Sequence, residues 1–588
     1  MAGGLLNLIS IGNANVILTG QPTKTFFKVT YSKYTNFGLQ KFRLDYDGSR
    51  DLRLTTPSQY TFRIKRYADL LMDTYLAVTL PDIWSPIYNP TPDNNYEWVG
   101  YDFRWIRNIG FMMIKSIEIN CGSFLLQRYT GEYLAAMVER DFNSTKKELI
   151  DRMSGNIPEL YDPANAYGRV NAYPSAFYTN NTVVDTSSVV QSEPSIRGRT
   201  LYIPINTWFT LNSRCAFPLI SLQYNELSIT VTLRPIQELF QVRDVTDTVN
   251  KYPYIQPDFN QEQYRLYRFL QTPPDVRIDA QYQTIFNIYE NQLTTWNADV
   301  HMLATYCFLS NEESRVFAVE DQVYLVKDVF QYEYFDVAGS SKIRLENSSG
   351  MVSSWMWYLQ RNDVNMRNEW YNYTNWPYET LPSNVKIAPR TIPLPPRYHG
   401  SLDEFNYIYT HYETGYYNPD MVLTIGPIQN PNTTHDTGYY ITGDISSDNQ
   451  KDILLSLGIL FEGDYRENMF PRGIYEYLEK YTRTAGSGKD GLYCYNYCLS
   501  TSPFEYQPSG AINMSKFKNV ELEFTTYLPS TSPLVKETVL CGDNGLPLAI
   551  STKPGWQLYD YTYNLVLFEE RYNILSFVGG NCAMMYAR

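Results

Sequence analysis

Polar and apolar residues alternate with a period of two through much of the chain. Phe42-Arg-Leu-Asp-Tyr46, Phe62 and Ile64 set among Thr61, Arg63 and Lys65, and Ile117-Glu-Ile-Asn120 each present one apolar and one wet face. Leu227-Ser-Ile-Thr-Val-Thr-Leu233 alternates without a break, and Val520-Glu-Leu-Glu-Phe524 repeats the pattern late in the chain. A pleated strand points successive side chains to opposite faces, so these stretches predict half-buried strands. The 33 prolines and 32 glycines punctuate them, as in sandwiches joined by long loops. Helical signals are few and short. Thr145-Lys-Lys-Glu148 has capping-box spacing and opens a turn or two that Gly155 closes; Ser310-Asn-Glu-Glu313 has the same spacing before Ser314–Val319.

The second of these signals falls near mid-chain, between two β-rich halves, and predicts a domain boundary there. The halves also echo one another. Ile114-Lys-Ser-Ile-Glu-Ile119, a turn at Gly122 and Gly131-Glu-Tyr-Leu134 are matched in order by Leu454-Leu-Ser-Leu-Gly-Ile-Leu460, a turn at Gly463 and Gly473-Ile-Tyr-Glu-Tyr-Leu478. Pro218 precedes the strand at 227–233 as Pro508 precedes the one at 520–524. Two spaced similarities in one order suggest a duplicated β unit. Each half is longer than an eight-stranded sandwich requires, so the surplus falls in loops. The segment 361–450, with Trp370-Tyr-Asn-Tyr-Thr-Asn-Trp-Pro-Tyr378, Pro393-Leu-Pro-Pro396 and Tyr416-Tyr-Asn-Pro419, reads as a folded excursion whose aromatics form a contact surface.

At 588 residues the chain is past the ~250–300 at which a single core stops growing, which agrees with two domains. Its 53 tyrosines outnumber the 49 lysines and arginines, a bias toward pleated surfaces and interfaces. A net charge of −13 argues against packaging nucleic acid directly, because duplex binding needs a field of cations. Arg63-Ile64-Lys65-Arg66 and Lys146-Lys147 read as solvated faces. The first charged side chain is Lys24, and Asn7, Asn13 and Asn15 interrupt the apolar start, so no secretory signal or spanning helix is expected. Residues 1–24 read as an arm packed on its own or a neighbouring subunit, with a membrane-touching arm as the alternative.

Candidate chemistry is sparse. Seven scattered cysteines form no disulfide framework and fit a reducing compartment, and Cys494 and Cys498 lack a second pair at zinc-ligand spacing. The four histidines, 301, 399, 411 and 435, show neither H-x-H nor H-E-x-x-H spacing. Gly486-Ser-Gly-Lys-Asp490 lacks the first glycine and the Ser/Thr of a phosphate loop and reads as an exposed turn. Glu312-Glu313 and Glu569-Glu570 are merely adjacent, and the acidic turns at 45–48 and 448–452 complete no calcium loop. No catalytic residue, cofactor or metal is expected. Of six N-x-S/T sequons, Asn347, Asn372 and Asn432 are the candidates for exposed glycosylation.

Several stretches then resemble a known family. Phe26-Phe-Lys-Val-Thr-Tyr31 followed by Tyr34-Thr-Asn-Phe37 is similar to the opening of the double jelly-roll major capsid proteins of nucleocytoplasmic large DNA viruses, and Met1-Ala-Gly-Gly-Leu-Leu6 resembles the mimivirus-related and algal-virus branch. Tyr67-Ala-Asp-Leu70, Tyr75-Leu-Ala-Val-Thr-Leu-Pro81, Arg128-Tyr-Thr-Gly-Glu132, Ile203-Pro-Ile-Asn-Thr-Trp-Phe209, Leu222-Gln-Tyr-Asn-Glu226, Gln507-Pro-Ser-Gly510 and Arg571-Tyr-Asn-Ile-Leu575 follow in family order. The 361–450 excursion matches no motif of the family.

The resemblance implies an all-β fold of two tandem eight-stranded jelly rolls, with long surface loops and a few short helices. It divides the chain into an arm at 1–24, a first roll at 25–310, a connector at 311–320 and a second roll at 321–588. It also implies a structural, non-enzymatic role: homotrimers form pseudo-hexagonal capsomers that tile an icosahedral virion shell, assembled in the host cytoplasm or a viral factory. Implied partners are the chain itself, neighbouring capsomers and minor capsid proteins beneath the shell. No direct nucleic-acid contact is implied, and the resemblance allows peripheral proximity to an inner viral membrane. A carbohydrate-binding or carbohydrate-cleaving β-sandwich and a minor vertex protein are the alternatives.

Overall fold

The computed structural model describes residues 3–586 apart from 49–50, 89–98, 170–171, 177–192, 247–253, 274–288, 290, 347, 376–377, 380–450, 529–538, 542–546 and 550–560. In its first half the two main sheets are built from β1 (Phe37–Leu44), β2 (Ser58–Ile64), β3 (Leu70–Leu80), β4 (Ile114–Cys121), β5 (Phe124–Tyr129), β6 (Arg199–Pro204), β7 (Phe217–Pro218), β8 (Leu227–Leu233) and β9 (His301–Leu309). One antiparallel sheet runs β1-β9-β3-β7, with β6 also pairing β3; the other runs β2-β8-β4-β5. The alternation read from the sequence sets their register. Ile229 of β8 lies opposite Phe62 of β2 and Ile119 of β4, so all three enter the core together. There they meet Leu76, Val78, Met302 and Ala304 of the facing sheet.

The second half repeats this path. Its main strands are β10 (Gln322–Val337), β11 (Ser340–Arg344), β12 (Met351–Arg361), β13 (Leu454–Phe461), β14 (Asp464–Pro471), β15 (Leu492–Asn496), β16 (Ile512–Asn513), β17 (Val520–Thr526) and β18 (Tyr563–Val578), followed by an added β19 (Asn581–Met584). The sheets run β10-β18-β12-β15, with β16 pairing β12, and β11-β17-β13-β14. Each strand from β10 to β18 pairs as the one nine places earlier does. Gly122 and Gly463, at φ +59° and +92°, turn the equivalent hairpins β4–β5 and β13–β14. Two facing sheets in this strand order are a jelly roll, and the chain holds two of them in tandem.

The three longest helices among the described residues flank or join these sheets: α1 (Gly131–Asp141), α2 (Ser144–Ser154) and α3 (Asn311–Val319). Helix α2 is capped by Asn143, whose side chain accepts from Lys146 N at 2.9 Å, two residues before the Thr145 expected from the capping-box spacing. It ends at Gly155 with φ +79°, as expected. Ser310 caps α3, accepting from Glu313 N, and α3 joins β9 to β10.

The excursion differs from its expected form. Its start is no outer contact surface: Tyr371, Tyr373 and Tyr378 are buried, and the first two belong to the core cluster of the first roll. Trp370 donates to Glu238 O at 3.0 Å, wedging this stretch between the rolls. Residues 380–450 lie outside the described residues.

Candidate assembly interface

Helix α1 follows β5 directly and is held close to its own roll. A Cβ at Gly131 would sit 1.9 Å from Phe111 O, so only glycine admits this approach. Thr130 caps the helix and also donates to Gln331 of the second roll at 3.1 Å. Tyr133, Met137 and Arg140 follow at helical spacing, and all three are buried.

Arg140 forms a fork on Asp141 (Nε to Oδ1 2.9 Å, Nη2 to Oδ2 2.7 Å), and crosses to the second roll to meet Glu570 at 2.8 Å and Ser354 at 3.1 Å. Glu570 also accepts from Tyr133 at 2.9 Å and Ser354 at 2.7 Å, while Lys327 stands 3.8 Å away. Thr501 donates to Asp141. Burial pushes the Glu570 carboxyl up, but Arg140, Lys327 and Ser354 overcome this and hold it at about 2. Burial lifts Asp141 despite Arg140. An ion cluster this dry adds little net stability, since desolvation offsets attraction, but breaking it leaves an uncompensated buried charge.

A second cluster extends the seam. Glu139 accepts from Tyr371 and from Lys147, both at 2.6 Å, and Arg107 and Lys489 share Glu379. Gly486 N and Gly488 N donate to Arg140 O and Glu139 O, each at 2.8 Å. The Gly486–Asp490 stretch is therefore an exposed turn only in part, at Ser487 and Asp490. It is packed on the end of α1, where a Cβ at Gly486 would lie 2.4 Å from Glu139 O. A third contact links Arg104 to Glu369 at 3.3 Å, with the Arg104 guanidinium 3.9 Å over the Tyr254 ring.

The cysteines depart from expectation as well. Cys121, ending β4, and Cys582 in β19 form a disulfide 461 residues apart in sequence, because the added strand folds back over the first roll. Cys494 and Cys498 are free and buried, and burial pushes the Cys494 thiol up to about 12. Asn372 cannot carry a glycan on the folded chain: it is 2% exposed, and its side-chain oxygen accepts from Thr374. Asn347 and Asn432 lie outside the described residues.

Two cavities open at the seam on either side of Tyr133: one of about 80 Å³ beside Arg140, Lys327 and Glu570, room for a few waters, and one of about 430 Å³ beside Arg128, Thr130, Gln331 and Glu333. Among the described residues no group of His, Cys, Asp and Glu could hold a metal ion, and no helix is long and apolar enough to cross a membrane. The start of the chain does not pack on its own subunit. Ile17, Leu18 and Phe27 are exposed, and none of the described residues up to Gly38 is buried.

Sequence reasoning missed this seam. It passed over Glu570 as one of two adjacent carboxylates and did not read α1 as a helix. The triplet Glu-Tyr-Leu, recurring after both hairpins, was the available signal.

Fold and seam define a tandem jelly-roll protein whose two rolls are locked together. Comparison with known families places it further: "Major capsid protein N-terminus" matches residues 25–309 and "Large eukaryotic DNA virus major capsid protein" matches 313–583. The major capsid protein of Phaeocystis pouchetii virus is 23% identical over 551 residues, covering 89% of this chain and 92% of the relative. That of Chrysochromulina ericina virus is 30% identical, covering 40% of this chain and 42% of the relative, and capsid protein 1 of Acanthamoeba polyphaga mimivirus is 27% identical, covering 58% and 45%. The matched stretch thus spans less than half of these last two relatives. In fold, the PBCV-1 virus capsid (TM-score 0.55, 17% identity, 96% of this chain and 100% of that one) and the Faustovirus major capsid protein (0.55, 12%, 96% and 94%) are similar. The chain belongs to the major capsid proteins of large eukaryotic DNA viruses. It is a protein of the virion shell, and its relatives are structural proteins rather than enzymes.

Proposed function

We propose that three copies of this chain close a pseudo-hexagonal capsomer, and that capsomers tile an icosahedral shell. The observation that carries the reading is the repeated path: two rolls whose strands pair position for position give one chain two similar units. Three such chains around a threefold axis present six similar faces, and a heterologous contact that closes generates such a ring. In this reading residues 1–24 are an arm, 25–310 the first roll, 311–320 a connector and 321–588 the second roll. The uncovered apolar start of the chain serves neighbours or minor capsid proteins rather than its own subunit. The seam joining the rolls within a chain holds each pair of units rigid during assembly. Sedimentation of the purified chain tests this: a particle of three times 68.4 kDa, about 205 kDa, is expected, and a stable single chain at micromolar concentration contradicts it.

A further inference from the structure

The two rolls differ in what covers equivalent surfaces. After hairpin β4–β5 comes α1; after β13–β14 comes a helical stretch of a π-turn (Ile474–Leu478) and α4 (Glu479–Arg483). The triplet Glu132-Tyr133-Leu134 recurs there as Glu476-Tyr477-Leu478. In the first roll, Tyr133 and Met137, four residues on, are buried, and Tyr133 meets Phe568 of the second roll edge-on at 5.6 Å. In the second roll, Tyr477 and Tyr481, again four residues apart, are 59% and 89% exposed, and Leu478 is exposed beside them.

The receiving surface is repeated too. Helix α1 lies on the outward face of β10-β18-β12, where Ser354 stands at a bulge in β12. The equivalent sheet β1-β9-β3 carries a bulge at the same point of β3, which places Asp73 where Ser354 stands. Around it the outward row of β1 holds Phe37, Leu39 and Lys41, with Phe37 51% and Leu39 54% exposed. Both surfaces are open in the single chain, so they do not meet within it. Both helices end on a basic residue, Arg140 seven residues after Tyr133 and Arg483 six after Tyr477, so the aromatic positions match in register and the cations do not.

We propose that Tyr477, Leu478 and Tyr481 dock on the outward face of β1-β9-β3 of a second copy, beside the bulge that holds Asp73. This repeats between chains the contact that α1 makes with β10-β18-β12 inside one chain. The inference deepens the capsomer reading and rests on it. The contact is head-to-tail, so the two surfaces on each copy are different and complementary, and a ring closes when every one is occupied. Aromatic anchors entering an apolar, desolvated centre are the residues that dominate such interfaces.

The test uses the full chain with the substitutions Tyr477→Asp and Tyr481→Asp together, and Tyr167→Asp as an exposed control. Sedimentation should show trimers for the unmodified chain and the control. The double variant should remain single chains at concentrations tenfold above those at which the others assemble, with unchanged melting temperature. A second measurement mixes chains carrying Leu39→Cys with chains carrying Tyr481→Cys. These positions correspond to Lys327 and Met137, which line one cavity within the chain. Oxidation should give an interchain disulfide only in the mixture. If the double variant trimerises as the unmodified chain does, or the mixture fails to cross-link while trimers persist, the inference falls and the capsomer reading stands. If the unmodified chain does not trimerise, both fall.

Discussion

The two rolls share a strand path, yet the helix after the second hairpin strand meets opposite fates. In the first roll it is covered by the second roll and carries buried charge: Glu139, Arg140 and Asp141. In the second roll one side of it buries Tyr475, Glu476 and Lys480 against its own roll, but the other side is bare and aromatic: Tyr477, Leu478 and Tyr481. In the proposed ring the difference would follow from the tether. A contact between parts of one chain is made at high effective concentration, so it can bear the desolvation of a charge cluster and gain a unique register from it. A contact between separate chains must offset lost translational freedom, and large apolar anchors do that better.

The sharpest way to break this comparison is to remove a charge from the tethered seam. Arg140→Met strands Glu570 and Asp141 and should cost ~3–5 kcal/mol, read as a lower melting temperature by calorimetry. Arg483→Met in an unassembled chain should stay within ~0.5 kcal/mol, since its side chain is partly exposed. A comparable loss at both positions would show that the rolls do not differ as described. Next in size is the tether across the rolls. Cys582→Ser, or reduction, should cost ~2–4 kcal/mol by opening a loop of several hundred residues. An unchanged denaturation midpoint in reductant would count against the pairing.

Acid then separates the seam from the interior of the first roll. Glu570 is held at about 2, below its ordinary 4.5, so its contribution is complete above 4.5 and drains away as pH falls toward 2. Asp102, within the first roll, is raised by burial, against Arg243, to about 6 from 3.8. A raised carboxyl binds its proton more tightly when folded, so this group adds stability as pH falls from 6 to 3.8. Stability should therefore rise modestly between pH 7 and 5 and decline below 4.5, and Glu570→Gln should flatten the acid limb alone. The smallest effect expected is Tyr133→Phe, which removes one buried bond to Glu570 at ~1–2 kcal/mol, against no change for Tyr477→Phe in the single chain.

Much of this fold was legible. The unbroken alternation of Leu227–Leu233 coincides with β8, and Val520–Phe524 lies within β17, because each strand has one face on a core. The two glycine-turned hairpins were visible as a repeat. The seam was not, for physical reasons. Nearly all of α1 is buried, so it lacks the polar stripe by which a surface helix is recognised. Glu569 and Glu570 look alike in sequence but point to opposite faces of β18. Glu569 accepts from Trp355 inside the second roll, and Glu570 from Arg140 across the seam. Pleating decides that split, and only tertiary pairing reveals which face meets a partner. The disulfide was hidden because β19 has no counterpart in the first roll.

In the proposed capsomer, two like rolls per chain and three chains per ring make six like units. Averaged electron micrographs of the purified particle test it most directly. Six lobes of similar size, alternating around a threefold axis, are the expected result. A twofold dimer, or a particle with any other number of lobes, would contradict it.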